Sequence, residues 1–199
     1  TGGNGVAVWR SPQAWMISVF MGTQSLAFYS LVNFMPSVVQ AKGLTALAAG
    51  NYMSLFQISS LLGVLAVSAW FGRSGNRPLF SVIISLLMCA GVAGIWLAPA
   101  AWAWFWVILA GIGGSATFSM VLMLFALRTD NSSEAAALSG MAQAVGYSIA
   151  ILGPLGMGML YDATGSWTAA MAVLSSLLAA ECVLAWWVAQ PKTLGEYRK

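Results

Sequence analysis

Long apolar runs separated by short polar connectors divide the chain into six blocks. They run from Trp15 to Val38, Ala48 to Phe71, Leu79 to Ala98, Trp102 to Leu127, Ala135 to Tyr161 and Trp167 to Ala189. A helix needs about 20 mainly apolar residues to cross roughly 30 Å of hydrocarbon, so the pattern predicts six membrane-spanning helices. Between Arg77 and Arg128 lie 50 residues without a charge. That is too long for one span, and Pro99 with its small neighbours divides it in two. Barrel strands would be about 10 residues long and alternate polar with apolar, which these blocks do not. The expected organisation is a lead-in segment over 1–14, a six-helix bundle over 15–189 and a tail over 190–199.

Composition sharpens this picture. Of 199 residues, 60% are hydrophobic and 7% charged, against about 25% charged in soluble domains. That excludes a soluble globular domain, and disorder needs the opposite balance. Histidine is absent, which removes imidazole metal sites, haem ligation, the Ser-His nucleophile and the histidine proton switch. Cys89 and Cys182 sit inside apolar runs and are too few for a disulfide framework or a metal site. No catalytic residue, metal or cofactor is therefore expected, and the chain reads as a non-enzyme. The net charge is +3, but the basic residues form no patch, so nucleic acid is not an expected partner.

The basic residues instead report topology. Arg10, Arg73, Arg77, Arg128, Lys192, Arg198 and Lys199 fall on one side of the alternating connectors, and Lys42 alone falls on the other. This asymmetry predicts an inner or plasma membrane protein with both ends of the segment in the cytoplasm. Nine of the ten tryptophans, among them Trp9, Trp15, Trp70, Trp102 and Trp187, fall near span ends, where amphipathic rings sit at the lipid headgroups. The chain starts at Thr1 with Gly2, Gly3 and Gly5 following and shows no signal-peptide pattern, so it reads as part of a longer polypeptide.

With short connectors, binding chemistry has to lie inside the helices. Polar residues in mid-span are costly and tend to face the bundle interior or a watery cavity. In span one, Ser25, Tyr29 and Asn33 share an arc with Gly22, while Gln24 points to a different side. Span two carries Ser54, Gln57 and Ser60 on one side, span four Thr117, and span five Gln143 and Tyr147 one turn apart. These groups either line a neutral, hydrogen-bonding cavity or tie helices to one another. Two stripes of small residues, Ala136-Gly140-Ala144-Ser148 and Gly111-Ser115-Ser119, read as helix-packing surfaces. Gly111 to Ser115 lacks the lysine and strand context of a phosphate loop.

Gly153 and Pro154 interrupt span five and predict a bend or gate in its far half. Pro36 reads as the far end of span one. Glu181 is the one charge well inside a span, and is a candidate for proton coupling. Asn131-Ser132-Ser133 matches a glycosylation pattern but falls on the expected cytoplasmic side.

Several stretches carry a family resemblance. Trp9-Arg10-Ser11-Pro12-Gln13-Ala14-Trp15 is similar to a W-R-S-P-x-A-W opening. Tyr29 and Pro36 fit Y-Y and L-P positions, with Phe28 in place of the first tyrosine, and span four ends in Leu127-Arg128. The longest stretch, from Ala135 to Tyr147, resembles A-A-A-L-S-G-M-A-Q-x-V-G-Y. Gly153-Pro154 and then Tyr161-Asp162-Ala163-Thr164-Gly165-Ser166-Trp167 follow it, resembling G-P and H-D-x-x-G-x-W with tyrosine in place of histidine. From about Trp9 to Trp187 the chain resembles the C-terminal half of a major facilitator superfamily protein of the cyanate permease and nitroimidazole transporter branch. The loop Gly72-Arg73-Ser74-Gly75-Asn76-Arg77 resembles the superfamily's G-x-x-x-D-R-x-G-R loop without its aspartate.

The resemblance implies an all-α fold, half of a twelve-helix transporter in which two lobes rock about a central site. It implies as partners the lipid bilayer, a small solute such as a cyanate-like anion or a nitroimidazole-like compound, and an N-terminal six-helix half. That half tends to carry an arginine in its first helix. Ser25, Tyr29, Asn33, Gln57, Thr117, Gln143 and Tyr147 are the expected lining residues, and Arg128 an anchor on the cytoplasmic side. The competing expectation is a free-standing or homodimeric six-helix channel or scaffold subunit, although no repeated selectivity motif or charged ring is present.

Overall fold

The computed structural model describes residues 7–191, 193 and 194. Lys192, Arg198 and Lys199, which enter the topology argument, lie outside the described residues. Helices α1 (Pro12–Ala41), α2 (Ala46–Trp70), α3 (Arg77–Leu97) and α4 (Ala103–Leu127) are followed by α5 (Ser132–Ala150), α6 (Leu152–Thr164) and α7 (Trp167–Val188). A single 3₁₀ turn, Ala100–Trp102, leads into α4. Among the described residues, six helical stretches are long and apolar enough to cross a membrane, with α5 and α6 together forming the fifth. Their ends lie within three residues of the six sequence blocks.

Short polar side chains start the helices. Pro12 stands at the beginning of α1, where its missing N–H costs nothing. Thr45 accepts from the Ala48 N–H at 3.2 Å, Asn76 from Leu79 at 3.1 Å and Ser166 from Thr168 at 3.2 Å. Asn131 accepts from Glu134 N–H at 2.9 Å while Glu134 Oε2 accepts from Asp130 N–H at 3.1 Å, so the apparent glycosylation triplet is the start of a capping box. Gly165, at φ 65°, ends α6 in the left-handed conformation.

Two prolines act differently from one another. Pro36 lies inside α1, which continues to Ala41, so it does not end span one. A membrane helix tolerates the lost hydrogen bond because neighbouring groups re-satisfy the backbone. Pro154 lacks the N–H that the Ala150 carbonyl would accept, and the fifth span divides at Ile151 into α5 and α6.

Lys42 follows the end of α1 and donates from Nζ to the carbonyls of Ile95 at 2.8 Å, Trp96 at 3.0 Å and Ala98. These are the carbonyls at the C-terminal end of α3, where a cation also meets the negative end of the helix dipole. Burial lowers the Lys42 pKa from the ordinary lysine value. Lys42 is therefore a helix cap that ties the α1–α2 connector to α3.

α1 is the central post and packs on α2, α4, α5, α6 and α7, while α3 packs on α4 and α7. α1 and α4 are the most buried spans and α2 the least. Apolar side chains form two clusters, one toward each end of the bundle. Ile17, Phe20, Phe71, Met120, Leu124 and Leu138 belong to the cluster at the Arg128 end, and Leu31, Met35, Phe56, Met88, Val107 and Met171 to the other. The band between them holds buried polar side chains, Gln24, Ser25, Ser59 and Ser115 among them.

Candidate functional site

That band lies at mid-height of α1, α2 and α4. Gln24 Nε2 donates to the Gly114 carbonyl at 2.7 Å, and Ser25 Oγ donates to Gln24 Oε1 at 3.1 Å. Ser115 Oγ donates to the Ser60 carbonyl at 2.6 Å. Glycine and serine at these crossings let the α4 backbone come close to its neighbours: a Cβ on Gly111 would run into Ser59 Oγ and the Phe56 carbonyl. The close approach leaves a cavity of about 200 Å³ lined by Gln24, Ser25, Phe28, Tyr29, Val64, Gly114, Ser115 and Phe118.

A second cavity of about 380 Å³ lies between α1 and the bend in the fifth span, lined by Tyr29, Asn33, Tyr147, Ala150, Ile151 and Pro154. Tyr29 borders both. α1 meets this span closely because Gly153 packs against Leu26 and Ser30, and Gly22 against Ile149. The bend at Pro154 then opens the space beside Tyr147. Tyr29 and Tyr147 are 43% and 38% exposed, and among the described residues no hydrogen bond engages either hydroxyl. Asn33 Nδ2 donates to the Tyr29 carbonyl at 2.7 Å, which leaves its Oδ1 as an acceptor. The two cavities thus offer aromatic faces and neutral donors and acceptors, and among the described residues no charged one lines either.

Residues 4–151 match the Major Facilitator Superfamily family model. The chain belongs to the major facilitator superfamily. It is 34% identical over 175 residues to the 2-nitroimidazole transporter of Escherichia coli K12, covering 86% of this chain and 44% of that protein. It is likewise 34% identical over 174 residues to the uncharacterized transporter YycB of Bacillus subtilis 168, covering 86% of this chain and 43% of that one. To the cyanate transport protein CynX of Escherichia coli K12 it is 25% identical over 162 residues, covering 81% and 42% respectively. The chain therefore spans less than half the length of these relatives. As a superfamily member with six apolar helices it is a multi-pass membrane protein.

In this major facilitator unit the residues singled out from sequence separate into groups. Ser25 and Tyr29 meet in the first cavity, and Tyr29, Asn33, Tyr147 and Pro154 meet in the second. Gln57 is exposed on α2 and lines neither, as does Ser54, whereas Ser60 turns toward α4. Thr117 is buried and shares its hydroxyl proton between the Gly113 and Gly114 carbonyls, both at 2.9 Å, so its polar atom is spent on its own helix. Gln143 is half-buried and donates to Ser139 Oγ at 2.8 Å. Arg128 is buried and donates to the Ala189 carbonyl at 2.7 Å, joining the ends of α4 and α7. Glu181 is buried on α7 and lines neither cavity.

Gln24 is the lining residue that sequence reasoning set aside. A helical wheel turns it about 100° away from Ser25, and because α1 is surrounded, nothing in its own sequence says which arc meets α4. The small-residue stripes also differ. Gly111 and Ser115 pack on α2, whereas Ala136, Gly140, Ala144 and Ser148 are all exposed.

Proposed function

We propose that this chain is one six-helix lobe of a secondary transporter that carries a small solute by alternating access. The observation that carries the reading is the polar break at mid-height, where Tyr29 joins two cavities that open toward the exposed flank of α1, α2 and α5. Solute sites of secondary transporters lie near the bilayer midplane at the boundary between repeats. A second six-helix half supplies the facing wall, and the exposed stripe from Ala136 to Ser148 gives it a close docking surface. The distribution of Arg10, Arg73, Arg77 and Arg128 supports a cytoplasmic position for that end, in an inner or plasma membrane.

The solute class that fits is a small planar heteroaromatic such as a nitroimidazole. Phe28, Tyr29 and Phe118 offer ring faces for stacking. Ser25, Asn33 and the tyrosine hydroxyls offer neutral hydrogen bonds. A cyanate-like anion would draw its cation from the other half. The test is uptake of labelled 2-nitroimidazole, and separately of cyanate, by membrane vesicles that contain the whole polypeptide. Saturable uptake and counterflow of 2-nitroimidazole are expected. Uptake equal to that of empty vesicles for both solutes would overturn the transporter reading in favour of a channel or scaffold subunit.

The bend at Pro154 is the element suited to gating, since it sits beside both Tyr147 and the close α1 contact of Gly153. Pro154→Ala restores an N–H to the Ala150 carbonyl and favours the straight helix by up to about 3 kcal/mol. Solute affinity in the favoured state is expected to stay near normal while exchange between states slows. Counterflow rates measured beside equilibrium binding separate the two; unchanged rates would show that the bend is static.

A further inference from the structure

We propose that Glu181 is a proton-binding site set apart from the solute cavity, in the seam between α3 and α7, and that it takes up and releases its proton during transport. The second half of this proposal rests on the transporter reading above.

Glu181 is 2% exposed, and among the described residues neither of its carboxyl oxygens has a hydrogen-bond partner. α7 packs on α3, α1 and α6. From α3, Cys89 enters this seam, and Cys182 adjoins Glu181 on α7 itself. Cys89 Sγ donates to the Ser175 carbonyl at 3.9 Å, which fixes it in this seam. The other charged or titratable residue of α3 is Arg77, at the helix start three turns before Cys89. α1 contributes only Tyr29, which faces the cavities, and α6 only Tyr161 and Asp162 at its far end. No cation in these helices stands opposite the carboxyl.

A carboxylate without donors or a counter-charge in an apolar interior is costly, and an intramembrane acid is a functional candidate for that reason. The surroundings select the ligand. Ser85 lies one turn from Cys89 on the same face of α3, and its Oγ is also buried with no partner among the described residues. Two carboxyl oxygens and one hydroxyl are too few for a hard metal cation, which takes about six oxygen ligands, and the flanking thiols are soft. A proton needs only one oxygen. None of the residues lining the two solute cavities lies on α3 or α7, so the proton and the solute occupy different seams of the same lobe.

The first test needs no solute. The whole polypeptide in membranes is treated with dicyclohexylcarbodiimide, which reacts with protonated carboxyls in apolar surroundings, and the adducts are located by peptide mass spectrometry. An adduct on Glu181 is expected, its absolute yield falling as the pH is raised, with the exposed Asp162 unlabelled as the contrast. No adduct on Glu181, or a yield that ignores pH, would overturn the proposal. The second test uses Glu181→Gln in proteoliposomes with 2-nitroimidazole as the probe. Retained counterflow with loss of accumulation driven by a pH gradient is expected, and retained gradient-driven accumulation would overturn the coupling role. If the variant does not assemble, wild-type labelling decides. If wild-type protein moves no 2-nitroimidazole, the solute reading fails and the labelling result still judges the proton site.

Discussion

Replacing Gly113 with alanine is expected to destabilise the lobe by at least about 3 kcal/mol, the upper range for overpacking a closed core. A Cβ at this position would meet the Met88 backbone nitrogen, with Met88 Cα at 2.7 Å and the Ile84 carbonyl oxygen at 2.9 Å. Those atoms belong to the α3 backbone and cannot rotate away, so α3 and α4 must separate. The loss is a large share of the roughly 5–15 kcal/mol that holds a typical domain together. The same change at Gly50, exposed on α2, is the control. Nothing lies within 4 Å of a Cβ there, and alanine favours a helix over glycine by up to about 1 kcal/mol. Unfolding of the whole polypeptide in detergent, followed by tryptophan fluorescence, should show Gly113→Ala far below wild type and Gly50→Ala at or above it. Equal midpoints would mean that the α3–α4 seam is looser than the structure has it.

Tyr29→Ala is expected to weaken solute binding by about 2–3 kcal/mol, the combined worth of a buried ring face and one hydrogen bond. That corresponds to a rise in Kd on the order of a hundredfold. Tyr29 is 43% exposed and stands outside both apolar clusters, so its removal should spare the fold. Tyr29→Phe keeps the ring and should lose only about 1 kcal/mol. Gln57→Ala provides the contrast, because Gln57 is polar, mid-span and exposed, yet lines neither cavity. Binding of 2-nitroimidazole by equilibrium dialysis with the three variants would rank them. A larger loss at Gln57 than at Tyr29 would move the pathway from the α1–α5 flank to the outer face of α2.

The six spans were legible in the sequence because bilayer thickness fixes their length and the hydrocarbon excludes charge. The bend in the fifth span was legible for a local reason, the N–H that Pro154 lacks. Features that depend on which helix lies opposite were not. Lys42 is counted by the charge rule as a topology signal, but its role comes from three α3 carbonyls more than 50 positions away. The stripes at Gly111 and Gly140 have the same spacing, yet one is packed and the other exposed. Thr117 and Gln57 show the same limit from two directions. Thr117 satisfies itself on its own helix, and Gln57 points away from the cavities. Pro36 sits in the outer part of α1, which runs on to Ala41.

The central claim is that α1 and α5 border a water-accessible solute pathway at mid-membrane. The most direct test introduces Asn33→Cys into the whole polypeptide carrying Cys89→Ser and Cys182→Ser, and measures its reaction with a hydrophilic maleimide in intact membranes. Val183→Cys on the exposed flank of α7 is the reference. Rapid labelling at position 33, slowed by 2-nitroimidazole, beside negligible labelling at position 183 is expected. Equally slow labelling at both positions would place Asn33 in lipid or in a dry interface, and would contradict a solute pathway along α1.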